Sequence, residues 1–253
     1  MRLAAAAVLV ALLAGAAGAE AAAAKRDTPV PILLYHRVKA PPQGENQALY
    51  VPPRLFARQV RALARAGYTA VTMAQAREHW RGGKRLPKKP VVLSFDDGFH
   101  DQYRHAARIL RARGWPGVLY LQVGRLGENG ALTKAQIRRM LRDGWELGAH
   151  SLSHADLTTV GPEQLEAEVA GSRWALQREF PGEPVESFAY PYGRYDAAAV
   201  AAVRAAGYGD ATTTRRGSAS PADGMFRLRR IIVNGTFTPA RVLRAVGATS
   251  GRR

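Results

Sequence analysis

"VVLSFDDG", residues 91–98, reads as an apolar strand that runs straight into two adjacent carboxylates and a glycine. Two other apolar runs end in a similar way. Val30–Tyr35 is followed by His36, and Glu146–Ala149 by His150. Where parallel strands close into a barrel, the residues at their C-terminal ends build the site. Two ionised carboxylates side by side repel, so Asp96 and Asp97 call for a partner cation or a proton. Taken alone, Asp-Asp-Gly is equally an ordinary turn.

Working outward, strand and helix patterns alternate. The strands expected are Val30–Tyr35, Tyr68–Val71, Val91–Phe95, Val118–Gln122, Glu146–Ala149, Ser187–Ala189, Gly209–Thr213 and Leu228–Val233. The helices expected are Arg54–Ala66, Gln102–Arg113, Lys134–Asp143, Glu163–Phe180 and Asp196–Ala206. Thr133 and Gln136 form a capping box for the third helix, and Pro162 suits the first turn of the fourth. One junction recurs four times: Gly67-Tyr68, Gly114-Trp115, Gly144-Trp145 and Gly207-Tyr208. Glycine supplies the left-handed residue that stops a helix, and the aromatic opens the next strand. About eight βα steps in one chain predict an α/β fold, a distorted (β/α)7-8 barrel in a single domain. A doubly wound open sheet is the alternative, but no G-x-G-x-x-G follows a strand.

The chain has 253 residues, with 47% apolar, enough for a full core. Arg2, the apolar run Leu3–Ala17 and Ala17-Gly18-Ala19 read as a secretory signal cleaved near Ala19. The run is short for a membrane span. The expected organisation is a signal over 1–19, a linker over 20–29 and a folded domain over 30–250, exported to the periplasm or beyond. Without cysteine, an exported chain holds together by core packing. A net charge of +17 comes from 37 Lys+Arg against 20 Asp+Glu. It reads as solvated helix faces, or as peripheral contact with an anionic envelope. No nucleic-acid motif is present.

Two further stretches carry chemistry. "WELGAHSLSH", 145–154, spaces His150 and His154 four apart. If a helical turn starts there, both imidazoles share a face and offer neutral nitrogens to a divalent metal. Joined to an aspartate at another strand end, they make a His-His-Asp set that leaves metal positions open. "FAYPYGRYD", 188–196, places a Pro-Tyr-Gly turn before a helix, where backbone N–H groups can face a developing oxyanion.

Phe95-Asp96-Asp97-Gly98, His150-Ser151-Leu152-Ser153-His154 and Pro191-Tyr192-Gly193, in that order, resemble the polysaccharide deacetylases of carbohydrate esterase family 4, the NodB-homology domain. The resemblance runs from about residue 30 to the final strand. It implies that Asp97, His150 and His154 bind a metal, that Asp96 is the base activating a metal-bound water, and that Tyr192 offers its N–H to the oxyanion. Tyr190, Pro191 and Tyr192 would border the substrate. The sequence departs from the family pattern twice. Ala189 stands where an arginine normally pairs with the base, and no histidine follows His154 to act as acid. Arg230 stands in the late stretch where a histidine is expected. His79, His100 and His105 read as helix surface or caps. His36, in Leu34-Tyr35-His36, is left as the general acid, with an acidic partner for which Asp210 is a candidate.

This order resembles a circularly permuted branch that includes the poly-N-acetylglucosamine deacetylases. The expectation is therefore a monomeric, metal-dependent hydrolase. It would remove N-acetyl groups from a polysaccharide containing N-acetylglucosamine, such as poly-N-acetylglucosamine or peptidoglycan. Zinc is the default metal, with cobalt, nickel or iron admitted. A non-catalytic carbohydrate-binding protein, or an amidase of a non-sugar N-acyl group, remains open on the same fold.

Overall fold

The structure, a computed structural model, describes residues 28–44 and 47–247. The signal read over 1–19, and residues 20–27 of the linker, lie outside the described residues. Among those described, no helix is long and apolar enough to cross a membrane.

Among the described residues eight strands form, in the order β1 (Ile32–Tyr35), β2 (Thr69–Ala70), β3 (Pro90–Asp96), β4 (Val118–Leu121), β5 (Glu146–Ala149), β6 (Ser187–Ala189), β7 (Asp210–Arg216) and β8 (Leu228–Ile232). Every pairing is parallel. β1 pairs with β8 on one side and β3 on the other, which closes a ring β1-β8-β7-β6-β5-β4-β3. β2 stays outside that wall and pairs with Pro90 and Val91 alone. The barrel thus has seven wall strands, and its first and last strands are neighbours, so a permuted chain order costs the ring nothing.

Alternation along β3 explains why the whole strand is buried. Val91, Leu93 and Phe95 belong to the core layer between wall and helices, and Val92 belongs to the second cluster inside the barrel. Ser94 and Asp96 keep Val92's parity and are fully buried too. At Gly148 on β5, an added Cβ would come within 2.8 Å of the Tyr120 ring and of Ser187 O, so only glycine leaves that space to Tyr120.

The helices are α1 (Pro53–Arg65), α2 (Met73–Trp80), α3 (Arg108–Arg111), α4 (Lys134–Arg142), α5 (Pro162–Glu166), α6 (Ser172–Glu179), α7 (Ala197–Ala205) and α8 (Pro239–Gly247). Two of the expected helices contain π-helical stretches, Gln102–Ala107 ahead of α3 and Ala167–Gly171 between α5 and α6. The capping box at Thr133 and Gln136 is present. At all four Gly-aromatic junctions the glycine has φ between 62° and 89°. Each aromatic N–H reaches back to a carbonyl five residues earlier, as from Trp115 to Leu110 and from Trp145 to Met140, both at 3.1 Å.

α2 and α8 were not among the expected helices. α2 is short and plugs the N-terminal end of the barrel: Met73, Ala76 and Trp80 join Val30, Val71 and Ala219 in the inner cluster. Its Arg77 ion-pairs with the fully buried Asp210 and with Glu186. Ser187 Oγ donates to Asp210 at 2.6 Å, and Tyr120 OH meets that hydroxyl at 2.7 Å. Asp210 therefore belongs to this lower network and is not the partner of His36. Glu146 lies in the same network, accepting from Ala74 N–H at 2.9 Å.

Burial and the charge of Asp210 push Glu146 up from 4.5 to about 7. Its raised folded pKa means that the folded state keeps a proton the unfolded state has released. Its contribution is intact below pH 4.5 and is lost as pH rises through about 7. Glu146→Gln should therefore change the pH dependence of unfolding free energy. The wild type should lose on the order of 3 kcal/mol more than the variant between pH 4.5 and 7. Parallel curves in denaturant titrations would show that Glu146 is ionised throughout.

Candidate active site

The C-terminal ends of the strands enclose a cleft of about 320 Å³ lined by His36, Asp96, Asp97, His150, His154, Tyr190, Tyr192 and Arg230, among others. His36 follows β1, Asp96 ends β3 and Asp97 follows it, His150 follows β5, and Tyr190 and Tyr192 follow β6.

Asp97, His150 and His154 each turn one ligand atom inward, and these atoms lie within 4.8 Å of one another. Asp97 Oδ1 is 3.5 Å from His150 Nε2 and 3.6 Å from His154 Nε2. Tetrahedral ligands at ordinary zinc bond lengths sit about 3.4 Å apart, so the spacing fits one ion. Second contacts set the tautomer. His150 Nδ1 lies 2.7 Å from the Ala189 carbonyl and can only donate to it, which leaves Nε2 with its lone pair toward Asp97. The donor set of one carboxylate and two imidazoles suits a divalent transition metal.

Among the described residues four non-glycines have positive φ: Asp97 (72°), Ser151 (62°), His154 (67°) and Tyr192 (59°). All four belong to this site or to the loop that carries it. Such conformations cost of order 1–3 kcal/mol each unless something fixes them. For the His150–His154 loop that something is Glu168. Its carboxylate accepts from Leu152 N–H and Ser153 N–H, both at 2.9 Å, and from Ser153 Oγ. Ser151 Oγ accepts from His154 N–H at 2.9 Å. The i, i+4 spacing therefore works through a pinned loop, not the helical turn considered from spacing, because left-handed residues at 151 and 154 cannot continue an α-helix.

Asp96 is 2% exposed and held in a fork. Arg230 Nη1 and Nη2 donate to its two oxygens at 2.7 and 2.8 Å, and Arg230 Nε donates to Thr213 O at 2.9 Å. Burial alone would raise the Asp96 pKa; the Arg230 guanidinium overcomes this, and the net shift is downward. Arg230 on β8 thus supplies the cation that Ala189 cannot, and it takes no acid's place. The sequence signalled the need through two abutting carboxylates but did not say which of 37 basic residues answers it.

His36 Nδ1 is buried and has no hydrogen-bond partner, so the acidic partner expected for it is absent among the described residues. Burial pulls the imidazole pKa down, against the opposing charges of Asp96 and Asp97. Its carbonyl is fixed instead. Gln102 Nε2 donates to His36 O at 2.9 Å and to Asp96 O at 2.6 Å. Asp101 accepts from Arg37 Nε and Val38 N–H, both at 2.6 Å. Arg37 is also tied to the chain ahead of α1: its N–H donates to Leu49 O and its carbonyl accepts from Val51 N–H, both at 2.9 Å.

In the Pro-Tyr-Gly turn, Gly193 N–H goes to Tyr190 O and Arg194 N–H to Pro191 O. Tyr192 N–H is not spent in that turn. Its ring is 58% exposed and meets the His154 ring edge-on at 4.5 Å. Tyr190 is buried with its hydroxyl donated to Phe226 O, so it walls the cleft. Pro191 is buried and shapes the turn, and it is not among the lining residues.

The family model for polysaccharide deacetylases matches residues 83–210. The chain belongs to the polysaccharide deacetylase family. It is 29% identical over 205 residues to YxkH of Bacillus subtilis, provisionally named a polysaccharide deacetylase, covering 81% of this chain and 71% of that one. A 52-residue stretch, 21% of this chain and 8% of the relative, is 54% identical to the poly-β-1,6-N-acetyl-D-glucosamine N-deacetylase of Escherichia coli K12. Among solved structures, the Streptococcus pyogenes deacetylase PplD in complex with acetate superposes with a TM-score of 0.82 at 26% identity, over 87% of this chain and 99% of that one. Family membership makes the chain a hydrolase of the deacetylase type, with a His-His-Asp cluster able to hold the metal such enzymes need.

Arg230→Ala should leave Asp96 as a buried, unpaired charge and cost about 3–5 kcal/mol of unfolding free energy, read by denaturant titration. An effect no larger than that of an exposed arginine would mean the fork carries no stability.

Proposed function

We propose that this chain is a metal-dependent N-deacetylase of polysaccharides containing N-acetylglucosamine. The observation that carries the reading is one cleft holding the Asp97–His150–His154 cluster, an ionised Asp96 locked by Arg230, and His36. The relative in Escherichia coli acts, by its name, on poly-β-1,6-N-acetyl-D-glucosamine, and PplD is seen with acetate, the acyl product of such a reaction. Export is part of the proposal and rests on the Leu3–Ala17 run and Ala17-Gly18-Ala19.

Asp97, His150 and His154 would hold the metal, most simply zinc. Bound there, it supplies a Lewis acid that makes water nucleophilic near neutral pH. Asp96 takes a proton from the attacking water. Because Arg230 holds both its oxygens, the carboxylate keeps its orientation through the transfer. Tyr192 N–H donates to the oxyanion that forms on the acetyl carbonyl. The leaving nitrogen must gain a proton before it departs, and His36 delivers it. His36 takes up that proton from solvent before each turnover, and Asp96 afterwards returns to solvent the one it removed from water. Water, amide and products then balance as acetate plus free amine. The exposed Tyr192 ring offers a face to a sugar at the mouth.

The test is acetate release from poly-N-acetylglucosamine, peptidoglycan and chitin oligomers, with and without chelator. Release from at least one polymer, lost on chelation and restored by zinc, is expected. No release from any of the three would leave a binding protein, and release from small acyl amides alone would leave an amidase. His36→Ala should cut turnover by about 10²–10⁴-fold with metal content unchanged. Asp97→Ala should lose the metal. Metal loss in the first variant, or an equimolar metal signal in the second, would reassign those residues.

A further inference from the structure

The charge of +17 is not spread evenly. Residues 47–77 carry five arginines, and residues 224–247 another five, with no Asp or Glu in either stretch. The helices α1 and α8, one from each stretch, pack side by side on the barrel flank. On α1, Arg54, Arg58, Arg61 and Arg65 recur at i, i+4, i+7 and i+11 and are all exposed, opposite the buried Leu55, Phe56, Val60 and Leu63. Arg58, Arg61 and Arg65 line a groove whose other wall is Pro239 and Leu243, and no carboxylate lines it. None of these four arginines makes an ion pair among the described residues. Elsewhere arginines do find acids: Arg139 and Arg111 with Asp143, Arg194 with Asp156, Arg229 with Asp223.

A solvated helix face ordinarily mixes signs, because like charges at i, i+4 repel and cost helix stability. The α1 stripe keeps that repulsion, which a layer of anions would relieve. The basic surface continues below the stripe. The loop before β3 exposes Lys84, Arg85, Lys88 and Lys89, and Lys89 Nζ donates to Ala66 O at 2.9 Å, tying the loop to the end of α1.

We propose that the α1–α8 flank docks this protein onto an anionic phospholipid bilayer. Guanidinium groups suit phosphate through their planar fork of donors. The face is broad, and its apolar residues are few and short (Ala62, Ala66, Pro239, Leu243), so contact is with headgroups and not with the acyl layer. The end of α1 and the basic loop lie at the N-terminal end of the strands, where the chain enters at Thr28 beside Trp80. The cleft opens at the opposite end, so a bilayer against this flank leaves it free for a polymer. A bilayer is favoured over a soluble polyanion because the basic face is broad and, on the export proposed above, the chain meets a membrane.

The experiment is vesicle co-sedimentation of the full chain, with phosphatidylcholine alone or mixed with phosphatidylglycerol, at low salt and above physiological ionic strength. The mixed vesicles should bind the chain and release it as salt rises. Combining Arg54→Gln, Arg58→Gln, Arg61→Gln and Arg65→Gln should weaken partitioning by about a hundredfold. Removing equal charge on other faces, with Arg138→Gln, Arg142→Gln, Arg178→Gln and Arg204→Gln, should weaken it less than a tenth as much. Equal loss from both sets, equal binding to neutral vesicles, or salt-insensitive binding would overturn the proposal, the last two pointing to the apolar leader. Binding to polyphosphate without binding to vesicles would overturn it in favour of a soluble polyanion. Acetate release is not a readout here, so failure of the deacetylase reading would not touch the result.

Discussion

Asp96 is a carboxylate buried inside a barrel, and it is ionised there because Arg230 grips both of its oxygens. Taking two charges out of water costs several kcal/mol per ion, and geometry alone decides whether the pair repays it. Here three of the five Arg230 N–H groups make short bonds, two in parallel to Asp96 and one from Nε to Thr213 O, and Nη1 also lies 3.5 Å from Ser94 Oγ. The pair also ties β3 to β8 across the barrel interior, on either side of β1. The strand that leads into His36 is therefore clamped between the two strands that hold Asp96 and Arg230. The contact that holds Asp96 also braces the two strands that pair with β1 to close the ring.

Around that contact stands a second ring of groups that fix main chain. Gln102 bonds the carbonyls of His36 and Asp96, Asp101 bonds the amide of Val38, and Glu168 bonds the amides of Leu152 and Ser153. Gln102 opens one π-helical stretch and Glu168 lies in the other. A π turn adds a residue to the helix and re-aims the side chains within it, and such turns gather at functional sites. In this barrel both aim a polar side chain at the strand ends. The left-handed conformations at Asp97, Ser151 and His154 persist because these bonds over-determine them.

The sequence showed what is periodic or terminal in the fold. Strand positions followed from apolar runs, helix ends from the four Gly-aromatic pairs, and the site from polar residues placed just after strands. His36, Asp96, Asp97, His150 and Tyr192 could be found because each sits beside a clean strand signal. Contacts between distant strands left no local trace. Arg230 looked like a departure from a family pattern, and its parity along β8 became meaningful only with Asp96 opposite. Asp210 looked free to serve His36 because nothing local announces that Arg77, on an eight-residue helix the pattern did not reveal, reaches it from below. Glu168 was hidden for a similar reason: a glutamate in mid-helix reads as surface unless the helix is known to bulge.

The two ends of the barrel use one kind of pair to opposite effect. Below, Arg77 faces Asp210, Glu186 and Glu146, more carboxylates than one guanidinium can offset, so burial wins and both Asp210 and Glu146 are pushed upward. Above, Arg230 meets a single buried carboxylate and the shift is downward. The difference is one of stoichiometry, not of residue type. The base role proposed for Asp96 requires an ionised carboxylate, which a one-to-one pair provides. The lower network has no such duty, and a carboxyl that keeps its proton there still accepts from the first turn of α2 and closes the barrel floor. Protonation is thus tolerated at the structural end and excluded at the chemical one, by counting cations against carboxylates along the same barrel axis.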